Sequence, residues 1–527
     1  MTTSLSRLLI GGLSLAGAFA FAEEPAVTAP AEPSTELSLT MSEAVVRALD
    51  TNIEVTIERL KPQVAEQKRR YAMGNFDPRI DFTALSESLE RPQNTRDFFA
   101  TGRAVEVLSE DNLRFEGALG GLLPTGTRYN VSIKSYSLKN TLNREALARF
   151  YPEYTSTASF TITQPLLRNF GTKATLTEAN IARMELRQAE TGLRGRIDQI
   201  AASVLDAYIE SQYARELVHV ITDRISVAER LRSENDKRLQ QGLMAPIDVM
   251  QAESTKASAE IELVRARSFQ TEAENRLREL IFPDFVAASE TRFNLVDSLG
   301  EVVLVESLPA LRNLALERSA EYQIAQQRVD TEKLRVRYAR NQLLPRLDLQ
   351  ASVGLNGLGP DFGGSFSDFS ERGQPDTTIG IIASIPITFA QERARLRQSL
   401  LELRAAEFEL KRTANHLVTQ VHTAYTRVQS AQQRAASATH AITTAEAALD
   451  AETKRLTNGL TTSFNVLRLQ DELAQARVNR LEAVAEGHKA LAVLWGLVGT
   501  LLERHQIHTT ELPSATASVA ASTAGRR

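Results

Sequence analysis

Residues 337–356 read RYARNQLLPRLDLQASVGLN. A proline ends a helix and disfavours helical backbone in the residue before it, so Pro345 marks a change of state. After it the pattern alternates. Leu347, Leu349, Ala351, Val353 and Leu355 take one face, and Asp348, Gln350, Ser352, Gly354 and Asn356 take the other. Ten residues at a period of two match a tilted membrane-spanning strand. A half-buried sheet of a soluble protein alternates in the same way, so the rest of the chain must decide between them.

The same junction occurs earlier. Arg70-Tyr71-Ala72 lies 267 positions before Arg337-Tyr338-Ala339, and Pro78-Arg79 and Asp81 precede Pro345-Arg346 and Asp348 by the same interval. Ala48, Leu49, Glu54 and Ile57 match Ala315, Leu316, Glu321 and Ile324 without a gap. Farther on, Thr163-Gln164-Pro165-Leu166 aligns with Ser384-Ile385-Pro386-Ile387 at an interval of 221. The interval then settles at 217: Ala207-Tyr208, Arg238-Leu239, Gly242-Leu243 and Val249 face Ala424-Tyr425, Arg455-Leu456, Gly459-Leu460 and Val466. Three blocks in the same order indicate an internal duplication. The first copy carries 46 extra residues between its Pro-Arg pair and its later proline.

Each copy opens with an expected helix, about 41–73 and 308–342. A strand follows, then a loop (Gly357 to Asp376 in the second copy) and a returning strand. The return carries Ala158, Phe160 and Ile162 in the first copy, and Ile379, Ile381, Ala383, Ile385 and Ile387 in the second. No proline then interrupts the chain between Pro165 and Pro246, or between Pro386 and Pro513. Residues 173–241 are expected as one helix of about 100 Å. Ile197, Ile200, Val204 and Tyr208, then Val218, Ile221 and Ile225, give it a narrow apolar stripe. A narrow stripe on a very long helix points to coiled-coil packing. Gly242-Leu243 and Gly459-Leu460 each separate two helical stretches. Glycine suits the left-handed residue that ends a helix, and Pro246 or Ser463 can open the next. Each copy is thus expected to hold a long antiparallel helical hairpin.

Composition agrees. The chain has 527 residues, 43% of them hydrophobic but only 6% aromatic, which favours long helices over an all-β body. It has no cysteine, which excludes disulfides and thiolate sites. A net charge of −4, with no basic run interleaved with aromatics, argues against nucleic acid as a partner. Arg7, the apolar stretch Leu8 to Ala22 and the sequence Ala20-Phe21-Ala22 read as a secretory signal, the stretch being short for an uncleaved anchor. No later stretch has the length of an apolar spanning helix, so a membrane would have to be crossed by strands.

These features together resemble the TolC-like outer-membrane efflux family, over roughly residues 38–503. The resemblance rests on the duplication, the Pro-Arg strand starts, the Gln164-Pro165-Leu166-Leu167 junction, and the Gly-Leu tips followed by Asp248-Val249 and Asn465-Val466. It implies an α+β membrane protein: a trimeric outer-membrane β-barrel continued by a long periplasmic α-helical coiled-coil barrel. It implies a homotrimer in outer-membrane lipid, each protomer giving four strands. It further implies that the tips Gly242, Leu243, Gly459 and Leu460 meet a periplasmic adaptor protein, which couples the duct to an inner-membrane transporter. The function implied is the channel of a tripartite efflux or type I secretion system. Physics supports the oligomer independently, because four strands cannot close on themselves and open edges are not tolerated in lipid.

Two departures stand out. Where the family often narrows its duct with aspartates near the second tip, this chain has Asn465 and Arg468, while Asp248 remains in the first copy. These three are the candidate tunnel gate, and a strongly cation-selective gate is in doubt. The extra residues of the first copy also include alternating segments, Leu113 to Leu119 and Tyr129 to Ile133, around a turn at Leu123-Pro124-Thr125-Gly126-Thr127. They would form a hairpin that either lengthens an external loop or joins the barrel as strands five and six. The near-spanning length of each arm favours the barrel.

No G-x-S-x-G, H-E-x-x-H or P-loop is present, and the seven histidines are scattered. His505 and His508 are close enough in sequence to share a metal but sit near the chain end. No catalytic, cofactor-binding or metal-binding residue is assigned, and an enzyme is not expected. The expected organisation is a signal peptide at 1–22, a disordered linker at 23–37, a first repeat at 38–307, a second at 308–503 and a disordered tail at 504–527. The first repeat has its barrel strands at 79–165, its helical hairpin at 172–282 and a connector at 283–307. The second has strands at 346–387 and a hairpin at 390–500. The competing reading is a soluble periplasmic coiled-coil scaffold with a small sheet.

Overall fold

The computed structural model describes residues 36–101, 104, 106–141, 149–242 and 245–507. The expected signal peptide, most of the linker, and His508 with the tail beyond it lie outside them. The linker ends sooner than expected, because Glu36–Leu39 form strand β1, with Leu39 buried. Helices α1 (Met41–Thr51) and α2 (Ile53–Met73) replace the single helix expected there. Thr40 and Glu43 form a reciprocal capping box at the start of α1. Asn52 makes the break: its Oδ1 accepts from the Glu54 and Val55 amides, at 2.8 and 3.4 Å, and caps α2.

Four strands follow, with a short helix in the first outer loop: β2 (Arg79–Pro92), α3 (Thr95–Thr101), β3 (Val107–Leu122), β4 (Arg128–Asn140) and β5 (Glu153–Pro165). The chain then turns helical through α4 (Thr172–Thr175), α5 (Thr177–Gln240) and α6 (Pro246–Ile281). The expected single helix over 173–241 is therefore interrupted at Leu176. The connector holds a short α7 (Phe285–Ala288) and a strand, β6 (Arg292–Leu295), which pairs in parallel with β1.

Helices α8 (Leu308–Arg318) and α9 (Ala320–Gln342) come next, broken at Ser319 as α1 and α2 are at Asn52. Strand β7 (Arg346–Gly359) and strand β8 (Gln374–Ser384) flank helix α10 (Phe362–Glu371), which occupies what reads in sequence as a loop. Asp361 starts this helix by accepting from the Gly364 amide at 2.6 Å. β8 stops at Ser384, so Ile385 and Ile387 lie beyond the sheet; Pro386 lacks the amide a ladder needs. Two long helices, α11 (Ala390–Thr457) and α12 (Ser463–Val498), and a short α13 (Leu501–Arg504) complete the chain. Order continues past 504: Ile507 packs on the core, so the disordered tail cannot begin where it was expected.

The long sheet is antiparallel throughout, in the order β2-β3-β4-β5-β7-β8. It has six strands where the resemblance implies four, because residues 107–140 enter it as the hairpin β3-β4. The turn of that hairpin is closed by Gly126 N donating to Leu123 O (2.8 Å) and is tied to the start of α4 by Gly171 N donating to Thr125 O (3.0 Å).

Two apolar clusters fix the helices to one another. One gathers Leu39, Val45 and Leu49 against Ile200, Val204 and Tyr208 of α5 and Leu277 and Ile281 of α6. The other packs Leu311 of α8 on Leu417 and Val421 of α11 and Leu491 and Leu494 of α12. Trp495 touches both.

Along the hairpins, through these clusters and beyond them, the seam is closed at an interval of seven, mostly by small residues. α5 buries Ile200, Ala207, Ala214, Ile221, Ala228 and Asn235, and α6 buries Ala252, Ala259, Ala266 and Ala273. α11 buries Leu417, Ala424, Ala431 and Ala438, and α12 buries Ala476, Ala483 and Ala490. A sustained seven-residue repeat keeps one seam facing its partner, and alanine lets the axes come close. Enlarging a seam residue should therefore be costly. We expect Ala266→Leu to destabilise the α5–α6 hairpin by about 1–3 kcal/mol, read as a lower thermal midpoint. Ser268→Leu, at an exposed position two residues on, should leave it unchanged.

Candidate functional site

The two hairpin ends are built alike. α5 closes with Gly242 at φ +74°, its amide donating to Leu239 O at 2.9 Å. α11 closes with Gly459 at φ +70°; the Gly459 amide donates to Leu456 O (3.1 Å) and the Leu460 amide to Arg455 O (2.9 Å). That pair of bonds is a Schellman motif, which satisfies carbonyls the helix end would leave open. Nothing lies within 4 Å of a Cβ placed on either glycine, so the backbone conformation, not crowding, requires glycine there. Leu460 is 68% exposed. Leu243 lies outside the described residues.

The ends lie side by side. The buried Ser463 hydroxyl sits 3.3 Å from Asp248 Oδ1, across the two hairpins. Asn235 Nδ2, at the end of the α5 seam, donates to Asp248 O at 3.3 Å, and Arg238 reaches Leu456 O at 3.5 Å. Asp248 is thus half-buried between hairpins. Asn465 Nδ2 donates to Thr461 Oγ1 (3.0 Å), and exposed Arg468 pairs with Glu472 on its own helix (2.8 Å). Among the described residues no hydrogen bond or ion pair joins Asp248 to Asn465 or Arg468.

Behind the tips the chain has clamps that sequence reasoning missed. Arg224 of α5 reaches Glu262 of α6 at 2.6 Å and Asp471 of α12 at 2.9 Å, so one guanidinium joins three helices. Only partners separated by 38 and 247 positions reveal it, and no local pattern signals such pairs. Glu229 of α5 accepts from Arg232 and from Lys256 of α6; these bonds to its charged form hold its pKa down to about 2. Its contribution is present above the ordinary glutamate range and is lost as pH falls from there towards 2.

At the other end of the molecule the sheet has two distinct faces. The register aligns Phe82↔Gly117, Leu119↔Val131, Val131↔Phe160, Phe160↔Val353 and Ala351↔Ile379, so these residues share one side. Several are largely exposed, Ile379 by 81% and Val353 by 47%. The opposite side carries Glu116, Lys134, Thr157, Thr161, Gln350, Ser352 and Asn356. Hydrogen bonds such as Thr161–Ser352 (3.0 Å) and Thr157–Asn356 (2.8 Å) run across it. An apolar face open to the surroundings, backed by a polar face, is the arrangement of a spanning barrel wall. The outer strands β2 and β8 each have one edge with no strand partner among the described residues.

The profile of the family described as "Outer membrane efflux protein" matches residues 129–281 and 311–500. The chain belongs to this family. It is 25% identical over 405 residues to the cobalt-zinc-cadmium resistance protein CzcC of Cupriavidus metallidurans, covering 73% of this chain and 90% of that protein. It is 24% identical over 224 residues to the alkaline protease secretion protein AprF of Pseudomonas aeruginosa, covering 41% and 44%. Its fold is similar to the outer-membrane channel OprN (TM-score 0.63, 15% identity, 87% and 89% covered). It is also similar to the outer membrane protein VceC of Vibrio cholerae (TM-score 0.61, 18% identity, 87% and 96% covered). This efflux-family chain is an outer-membrane channel of a tripartite efflux or secretion system, reaching from the outer membrane into the periplasm, and is not an enzyme. Its partners in such a system are an adaptor and an inner-membrane pump.

Proposed function

We propose that the channel is a homotrimer in which three six-stranded sheets close one barrel in outer-membrane lipid, and the helical hairpins form the duct below it. The observation that carries this is the pair of open edges on β2 and β8. In hydrocarbon each unsatisfied backbone group costs several kcal/mol, so β8 must pair with β2 of a neighbour. Three copies give eighteen strands, an even number as single-membrane barrels of this kind use. The matching order of helices, strands and hairpins in the two halves supports the reading of an internal duplication. The tips Gly242, Leu243, Gly459 and Leu460 form the adaptor contact. Asp248, Asn465 and Arg468 line the narrow end. Its mixed charges make it a weaker cation filter than a ring of aspartates would be. Efflux is favoured over protein secretion because the match to CzcC spans most of both chains, while that to AprF spans less than half of each.

The chain contains no cysteine, so introduced ones report cleanly. With Ile381→Cys on β8 and a series of single cysteines from Ile80 to Glu87 on β2, oxidation in outer membranes should give disulfide-linked trimers at one register. Only monomers at every position would refute the closed trimer. For the tips, Gly242→Pro and Gly459→Pro, which cannot adopt positive φ, should abolish export while detergent-extracted trimers persist; normal export by both variants would remove the adaptor contact. For the gate, Arg468→Asp should raise cation preference in planar-bilayer recordings, and unchanged selectivity would show that Arg468 does not line the duct.

A further inference from the structure

Helix α10 lies across the strands on the apolar side of the sheet. Phe115, Ser135, Ser156 and Gly357 are cross-strand partners in one row over β3, β4, β5 and β7. Phe362 packs its ring on Phe115 and Tyr154, with centroids 5.4 and 4.5 Å apart. Ser365 is fully buried, and its hydroxyl lies 2.6 Å from that of Ser156, itself 2.8 Å from that of Ser135. A Cβ on Gly357 or Gly359 would fall within 2.5 Å of the α10 backbone, so the helix rests directly on the strand. Asp368 fixes the far end by accepting from the Leu358 amide at 3.1 Å. Ten helical residues span ~15 Å, the width of the four strands crossed at ~4.8 Å spacing.

This face is the one that carries Leu355, Val353, Phe160 and Ile133, since the register runs on without a bulge. The apolar run from Leu347 to Leu355 climbs ~20 Å at ~3.3 Å per residue and a tilt of ~40°, most of the ~25 Å apolar band of a spanning barrel. The row at Gly357 therefore lies at the upper edge of that band. Phe366, one turn on from Phe362 and with its ring centroid 6.3 Å from that of Phe369, lies at the flank of the helical face that meets the sheet and is 42% exposed.

We propose that α10 is an interfacial helix, held in the plane of the outer leaflet against the outside of the barrel. Phe366 enters the boundary between headgroups and acyl chains and fixes how high the barrel rides in the membrane. The lipid surface is the occupant because the helix continues the apolar band at its rim. This rests on the spanning-barrel reading, and the test separates the two.

Single cysteines at Phe366, Val353 and Thr378 would carry nitroxide labels in the full-length channel, assembled in phosphatidylcholine nanodiscs. Collisions with dissolved oxygen and with an aqueous nickel chelate are then compared. The Val353 label should favour oxygen and the duct-facing Thr378 label the chelate. The Phe366 label should show an oxygen preference about threefold above that of Thr378. A Phe366 label matching Thr378, with Val353 still favouring oxygen, would overturn the interfacial helix alone. A Val353 label that reports water would overturn the spanning wall and the helix with it. Phe366→Trp gives a second readout free of the label: its added emission should be quenched by lipids brominated near the headgroup, and unquenched emission counts against the proposal.

Discussion

A sheet edge in hydrocarbon has nowhere to place its amides and carbonyls, and the rest of this molecule is arranged around that constraint. Among the described residues β2 and β8 end the sheet with no strand on their outer sides, yet their residues alternate with an apolar face exposed. A soluble protein would bury that face or cover the edge. Neither is done here, which makes the chain legible as a segment of a larger ring. The helical part answers to a related demand. Its hairpins have too little apolar surface for a globular core, so two clusters hold the middle and alanine seams hold the remainder.

Much of this could be read from the amino acids. Pro78 and Pro345 mark strand starts, alternation over Leu347 to Asn356 marks a wall, and proline-free stretches mark the long helices. Gly242 and Gly459 fall at the helix ends because left-handed backbone demands glycine there, a constraint local enough to be visible in sequence. The breaks at Asn52 and Ser319 were not anticipated. Asn52 had its signal, an asparagine two residues before Glu54, but its side chain also bonds Leu280 O, a partner 228 positions away. The alanine seams were missed for another reason: a search for large apolar residues passes over Ala252, Ala259, Ala266 and Ala273, whose value lies in being small. α10 reads as a loop because its glycines and serines are poor helix formers. The platform of Ser135, Ser156 and Gly357 that receives it is assembled from three separate strands.

The candidate gate shows the same limit. Asp248 and Ser463 are 215 positions apart, and each alone looks like a helix-start residue. Folding brings them into contact, so Asp248 helps hold the hairpin ends together, and in the proposed gate it also contributes charge to the narrow end. Any opening of the tips that separates α6 from α12 must break that contact, and the Arg224 clamp behind it ties α12 to α5 and α6. Any such opening is thereby linked to a few polar contacts between the hairpins.

The added hairpin carries a consequence for the whole duct. Barrel diameter grows roughly in proportion to strand number, so the proposed eighteen-stranded wall would be about half as wide again as one built from four strands per protomer. The helices beneath are not increased to match, since β3 and β4 return to the sheet through a tight turn and not through a helix. The wide wall must then narrow where it meets the helices. The 123–127 turn lies at that level: Thr127 bonds Gln164 at the end of β5, and Thr125 accepts from Gly171 at the start of α4. The same turn that closes the extra hairpin thus anchors it to the strand-to-helix junction, so in the proposed trimer the surplus width would be taken up in the wall and not passed to the helices below.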